Sequence, residues 1–527
     1  MPPQRKGKTV PATLTAGPLH LLYDNGMLRS VKYNGTEFIR RIYMALRDRH
    51  WNTIPYTIIS QTIDTTSASF AIRFNAIHDE NGIVFSWKGE FRGSSDGTIT
   101  ATLKGTAASS FLRNRIGWCV LHPLPLCKNL LCKVTRTDGA VVRTRFPGSA
   151  IAPYQPFPPF SALRYRISDT MECSMSFDGD VFETEDQRNW TDASFKTYST
   201  PQSIPSPVQV NSGDKIIQAI SVALSPVQSE KTDTSVIMPK RSDNRSSDNT
   251  TRIRPYIGLG ITINEVLNRD PASLPQPLPA DHLRISIDAD HTTHPDLAEK
   301  LSAWCIAHQT RLELALYLSE NFKEECRRTA EALHSCAPVL ERILLLHRET
   351  TLTRPGALDA ARNAFGHLLG PGSFFTGTDR YFVEINRTDP LELPSSGICF
   401  SANPQVHTFD DCIIMENLEG LEEVLHHART ICGERPLALS PLTLRPRKNP
   451  LRPEKAGGYD SRQTTDFGAA WLTGVLDVLF RSPLHSCTLF TGLIGRGGLF
   501  DENGTPFPLY HVLTSHTYCR TGQWYTP

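Results

Sequence analysis

From Pro255 onward a short apolar run is followed, again and again, by an amphipathic stretch, and this alternation restricts the chain more than any other feature. Eight runs read as strands: Tyr256 to Ile261, Leu283 to Ile287, Leu312 to Leu318, Ile343 to Leu346, Phe374 to Val383, Gly397 to Ser401, Leu437 to Leu444 and Cys487 to Phe490. Helical spacing lies between them. Pro295 to His308 sets Leu297, Leu301, Trp304 and Cys305 on one stripe, and Leu418 to Ile431 does the same with Leu421, Val424, Leu425 and Ala428. A parallel strand is buried on both faces and must be covered by its own helix, so eight such units predict a closed (β/α)8 TIM-type barrel over residues 255–516. A doubly wound open sheet is the alternative, but no glycine-rich dinucleotide turn follows the first strand.

Residues 1–224 follow a different rule. Turn signals stand at Asp24-Asn25-Gly26, Asn34-Gly35, Asn81-Gly82, Asp96-Gly97 and Asp138-Gly139, each between runs rich in Val, Ile, Thr, Phe and Tyr. Turn chemistry at hairpin spacing predicts an antiparallel β-sandwich. Gly179 to Pro201 departs from strand alternation. Its Arg188, Asn189, Trp190, Asp192 and Lys196 either pin a long loop by hydrogen bonds or reach across a domain boundary to a ligand. Residues 225–254, with KRSDNRSSDNTT, have almost nothing to bury and read as a polar linker. Residues 517–527 are left as a C-terminal tail.

Charge excludes some functions. Lys and Arg number 55 against 54 Asp and Glu, a net charge of +1, which gives no field to draw in nucleic acid or an anionic membrane. No apolar run reaches the ~20 residues that span a bilayer, and the opening MPPQRKGKTVPATL lacks the apolar core of a signal peptide. A soluble, cytoplasmic protein is expected. The 12 cysteines are scattered without metal spacing and read as reduced and mostly buried.

In a parallel barrel the chemistry lies at the carboxyl ends of the strands, so each strand can be asked what it delivers there. Asp288, Asp290, His291 and His294 follow the second, and His347, Arg348 and Glu349 the fourth. The fifth, GSFFTGTDRYFVEINR, gives Glu384, Asn386 and Arg387; its plainer reading is a surface loop with a salt bridge. The sixth gives Asn403, Gln405 and His407, the seventh Thr443, Arg445, Arg447 and Asn449, and the eighth Thr491. Arginines, amides and histidines suit an oxygen-rich small molecule that is or becomes an anion. A glycosidase of this fold places facing carboxylates after the fourth and seventh strands, and the seventh supplies none. Ester or lactone hydrolysis asks for one base and for donors to the oxyanion. Glu384 is the expected base, His407 the donor to the leaving alkoxide and second candidate for base, and Arg445 the partner of the carbonyl oxygen. Asn386, Arg387, Asn403, Gln405, Arg447 and His347 are the expected substrate-binding residues. Metal binding is weighed for Asp288 to His294, against helix capping by Asp288 and His294; neither a metal nor another cofactor is expected.

Several long motifs have a further bearing. LRSVKYNGTEFIRRIYMALRDRHWNTIP, FLRNRIGWCVLHP, GDVFETEDQRNWTDASFKTY, YFVEINR, NPQVHTFDD and LTLRPRKNP together resemble the D-apionate lactonases of bacterial apiose catabolism, from about residue 17 to about residue 512. The resemblance implies opening of D-apionolactone by water to D-apionate, with a small-molecule sugar lactone as partner and no nucleic acid or membrane. Oligomeric state is left open. Thr491, in LFTGLIGRGG, stands where relatives are expected to show a Glu, and the chain stops 16 residues after the Pro506 to His511 stretch. Either departure would alter substrate range or activity. The alternatives are a glycoside-hydrolase-like protein that acts on or binds apiose-containing glycans, and a degenerate paralogue that folds without catalysing.

Overall fold

The computed structural model describes residues 11–227, 254–289, 294–389, 395–447 and 458–518. Their contacts divide into two compact units: one of residues up to Gln187 and from Ser194 onward through the sheets, the other of Arg188–Ala193 together with the described residues from 254 onward.

The first unit is built from two antiparallel sheets, as its turn chemistry predicts. Nine strands make one sheet, which starts at Val141–Arg145 and ends at the edge strand Tyr56–Thr65; the other has eight, with Thr36–Asp48 and Phe111–Pro123 at its centre. The Asn-Gly pairs close hairpins for a steric reason. Asn25 and Gly26, Asn34 and Gly35, and Asn81 and Gly82 all have positive φ, the conformation that matches the twist of two strands joined by two residues. Strand Ile83–Ser94 buries every second side chain, and Trp87 from this strand meets Trp118 of the facing sheet edge-on at 6.1 Å.

The second unit contains a closed eight-stranded parallel barrel. Its strands are Tyr256–Ile261, His282–Asp288, Arg311–Leu318, Leu340–His347, Phe374–Gly377, Gly397–Ala402, Leu437–Leu442 and Ser486–Leu489. Its strands also bury a polar cluster. Glu313, fully buried, accepts from Ser440 Oγ at 2.6 Å and Thr488 Oγ1 at 2.9 Å. His282, Arg342 and Arg284 approach it at 3.6, 3.7 and 3.9 Å. Burial pushes the Glu313 carboxyl up, but His282, Arg342, Ser440 and Arg284 outweigh it and hold the group below its usual range. The first strand makes room for this cluster, since a Cβ on Gly258 would lie 2.0 Å from His282 Nε2.

Two expectations need correction. The fifth strand does not run to Val383. It ends at Gly377, where φ is 147° and a Cβ would lie 2.0 Å from the Cys399 carbonyl oxygen; the chain then turns and re-forms as the short helix Phe382–Asn386. Phe374, Phe375, Phe382 and Val383 are all buried, so one apolar run serves two elements and its composition hides the break. Nor does Asp288 cap the following helix. That helix is Leu297–Ala307, preceded by Asp296, and Asp288 instead pairs with Arg348.

Candidate active site

A cavity of about 10 Å3, the room one water needs, opens where the fifth, sixth and seventh barrel strands end. Asp379, Arg380 and Tyr381 reach it from the turn after Gly377, Ser401 to Asn403 from the end of the sixth strand, and Thr443 and Arg447 from the segment after the seventh. Asp379 accepts hydrogen bonds from the Tyr317 hydroxyl and from the Arg447 guanidinium, and Arg284 stands 3.9 Å away. Burial raises the Tyr381 phenol above its usual range, with Asn403, Arg447 and Arg380 pulling against it.

Beside the cavity lies an acid–imidazole pair. His407 Nδ1 is 2.5 Å from Asp192 Oδ2. Asn417 Nδ2 donates to the other Asp192 oxygen at 3.1 Å and to the Pro404 carbonyl at 2.9 Å. Thr191 Oγ1 donates to the carbonyl of Asn403 at 2.7 Å, so adjacent residues of one segment hold both His407 and the cavity-lining Asn403. The segment is itself anchored. Arg188, fully buried, pairs with Glu423 at 3.1 Å, the Ala193 N–H donates to Asn417 Oδ1 at 3.0 Å, and Trp190 packs edge-on against His407 with ring centres 5.5 Å apart. Hydrogen bonding of Nδ1–H to a carboxylate selects the tautomer whose lone pair is on Nε2, the form a general base requires.

Residues 3–227 match the family model described as D-apionate lactonase, N-terminal domain, and residues 257–520 the D-apionate lactonase TIM barrel domain. The chain belongs to the D-apionate lactonase family. The D-apionate lactonase of Brucella anthropi is 28% identical over 531 residues, which covers 95% of this chain and 85% of that protein. Among solved structures, endo-glycoceramidase II from Rhodococcus sp. is 12% identical, covering 50% of this chain and 78% of its own with a TM-score of 0.33. Galactose 1-epimerase from Lactobacillus acidophilus is 5% identical, covering 43% and 97% with a TM-score of 0.29. At the family level, this membership makes the chain a lactone hydrolase.

Within this lactonase barrel the residues expected from the sequence separate into groups. Asn403 and Arg447 line the cavity, and His407 pairs with Asp192. Arg445 lies apart from them, with its guanidinium donating to the Tyr459 carbonyl at 2.9 Å. Gln405 is buried and ties loops together, donating to the Leu444 carbonyl and to Asp460. His347 accepts from the N–H groups of Glu349 and Thr350. Asn386 donates to Asn189 Oδ1 at 2.8 Å and Arg387 stacks over the Trp190 ring, so both hold the 188–193 segment. Glu384 is half-buried in the first turn of its short helix and is not among the residues that line the cavity. Thr491 is exposed, and its backbone packs on Gly260. Asp290, His291 and Asn449 lie outside the described residues. Sequence reasoning missed Asp379, Arg380 and Tyr381 because it placed them inside a strand. The signal was there: Gly377-Thr378-Asp379 is turn chemistry.

Proposed function

We propose that the barrel unit acts as a carboxylic-ester hydrolase that opens D-apionolactone with water to give D-apionate. The Asp192–His407 pair beside the cavity is the observation that carries this reading. His407 Nε2 takes a proton from water as the water oxygen bonds to the lactone carbonyl carbon, giving a tetrahedral oxyanion. On collapse the ring C–O bond breaks, and the departing alkoxide takes that proton back from His407. The new carboxylic acid ionises in solution. Asn403 and Arg447 supply donors to the bound ring, and the hydroxyls and amide of the lining suit a polyhydroxylated substrate. The substrate's identity is supported by the name of the Brucella anthropi relative.

Glu384 and His407 compete for the role of base, and the geometry favours His407, whose ring is held against the Asp192 carboxylate in one tautomer. Acid release at constant pH from D-apionolactone and a panel of aldonolactones tests both points. His407→Asn is expected to lower kcat by ~100-fold or more, with Glu384→Gln far milder. If wild type releases no acid from any lactone, the activity is wrong. If the two variants rank the other way, the base is Glu384.

A further inference from the structure

The charges that line the cavity do not cancel. Asp379 brings one negative charge, and Arg380 and Arg447 bring one positive charge each, which leaves one positive charge in surplus. Arg447 is not its source, because its guanidinium is bound to the Asp379 carboxylate. Arg380 has no such counter-ion: among the described residues its side chain makes no hydrogen bond or ion pair, and the Tyr381 phenol is the titratable group it acts on. Its backbone, by contrast, is held on both sides. The Arg380 N–H donates to Thr378 Oγ1 at 3.1 Å, and its carbonyl accepts from the Ser401 N–H at 3.0 Å and the Ser401 hydroxyl at 2.7 Å. A half-buried cation on a held backbone thus stands at the cavity wall without a hydrogen-bond or ion-pair partner among the described residues.

We propose that Arg380 is the anion-binding residue of this site and takes the single negative charge that a neutral lactone acquires on hydrolysis. The inference rests on the lactonase reading above and deepens it. A neutral lactone gains little from the surplus charge. The tetrahedral oxyanion and the sugar-acid carboxylate each carry one negative charge and gain more, which is the differential binding that lowers a barrier. The same asymmetry makes the site a receptor for sugar-acid anions, so the enzyme is inhibited by its own product class.

The test is calorimetric titration of the full chain with D-apionate and with apiitol, the uncharged polyol of the same skeleton. Wild type is expected to bind D-apionate more tightly than apiitol, and more weakly as salt is raised. Arg380→Met should weaken D-apionate by roughly 10- to 100-fold while leaving apiitol unchanged, and Arg380→Lys should recover part of the loss. In turnover, Arg380→Met should lower kcat with little change in KM for the neutral lactone. Wild type that fails to prefer D-apionate over apiitol overturns the proposal, and this arm does not depend on the variant folding. An Arg380→Met protein that binds D-apionate as wild type does overturns it equally. Absence of acid release from any aldonolactone would strike the lactonase reading alone, since anion binding is measured without turnover.

Discussion

On the proposed mechanism, Asp192 bears on catalysis through one hydrogen bond. Its Oδ2 faces His407 Nδ1 and its Oδ1 accepts a hydrogen bond from the Asn417 amide, so a carboxylate in a fixed pose is what selects the imidazole tautomer. Asp192→Asn keeps the size but offers an amide that can stabilise the wrong tautomer, as in triads whose acid is replaced. The expected result is a fall in kcat of ~100-fold, no larger than that of His407→Asn, with KM little changed, read by acid release at constant pH. Near-normal turnover would reduce the pair to a structural contact. Neither residue could be paired from sequence, because they are 215 positions apart and no local period links a loop of the sandwich stretch to a loop of the barrel. His407 was legible as a strand-end residue of a barrel, and Asp192 only as a member of an odd polar stretch.

The helix Asp411–Cys432 shows how an element can set a site without lining it. Asn417, Gly420 and Glu423 recur every third residue and so fall on one face. All three meet the 188–193 segment: Asn417 through Asp192 and Ala193, Glu423 through Arg188, and Gly420 by having no side chain. A Cβ on Gly420 would lie 2.4 Å from the Thr191 carbonyl oxygen and 2.9 Å from the Asp192 carbonyl carbon, both backbone atoms that cannot swing aside. In an exposed helix Gly→Ala is worth about 1 kcal/mol of stability. Here that gain is opposed by displacement of Asp192. Gly420→Ala is therefore expected to lower kcat by ~10-fold or more without raising the melting temperature. A variant both more stable and fully active would show that the segment gives way freely. The helix was legible because its apolar stripe has the right period, whereas its functional face was not, since polar residues and a glycine at that spacing read as solvent-facing. The fifth strand failed for the converse reason: its aromatic residues continued the apolar pattern past the glycine that ends it.

At the scale of the whole chain, the change from hairpin turns to alternating strands and helices was enough to place a sandwich stretch before a barrel, because both patterns follow from which faces must be buried. The 17 histidines were countable too, but which of them fold away from water was not, and this decides how the molecule responds to acid. His78 and His122 in the antiparallel unit and His282 in the barrel are fully buried. Burial drives their pKa values down to about 4, about 3 and about 4, with Glu313 pulling His282 the other way. An unfolded histidine titrates near pH 6.5, so between that value and the folded one the unfolded chain holds more protons. Stability from these groups is therefore fully present above about pH 6.5 and is lost as the pH falls toward 4, by roughly 3 kcal/mol apiece at most. The urea midpoint should thus be highest at neutral pH and above and fall steadily from about pH 6.5 to about pH 4.5, and His122→Gln should flatten part of that slope. A midpoint unchanged between about pH 7.5 and about pH 4.5 would mean that the buried imidazoles accept protons in the folded state as readily as in the unfolded chain, and that their hydrogen bonds, not their burial, set their charge.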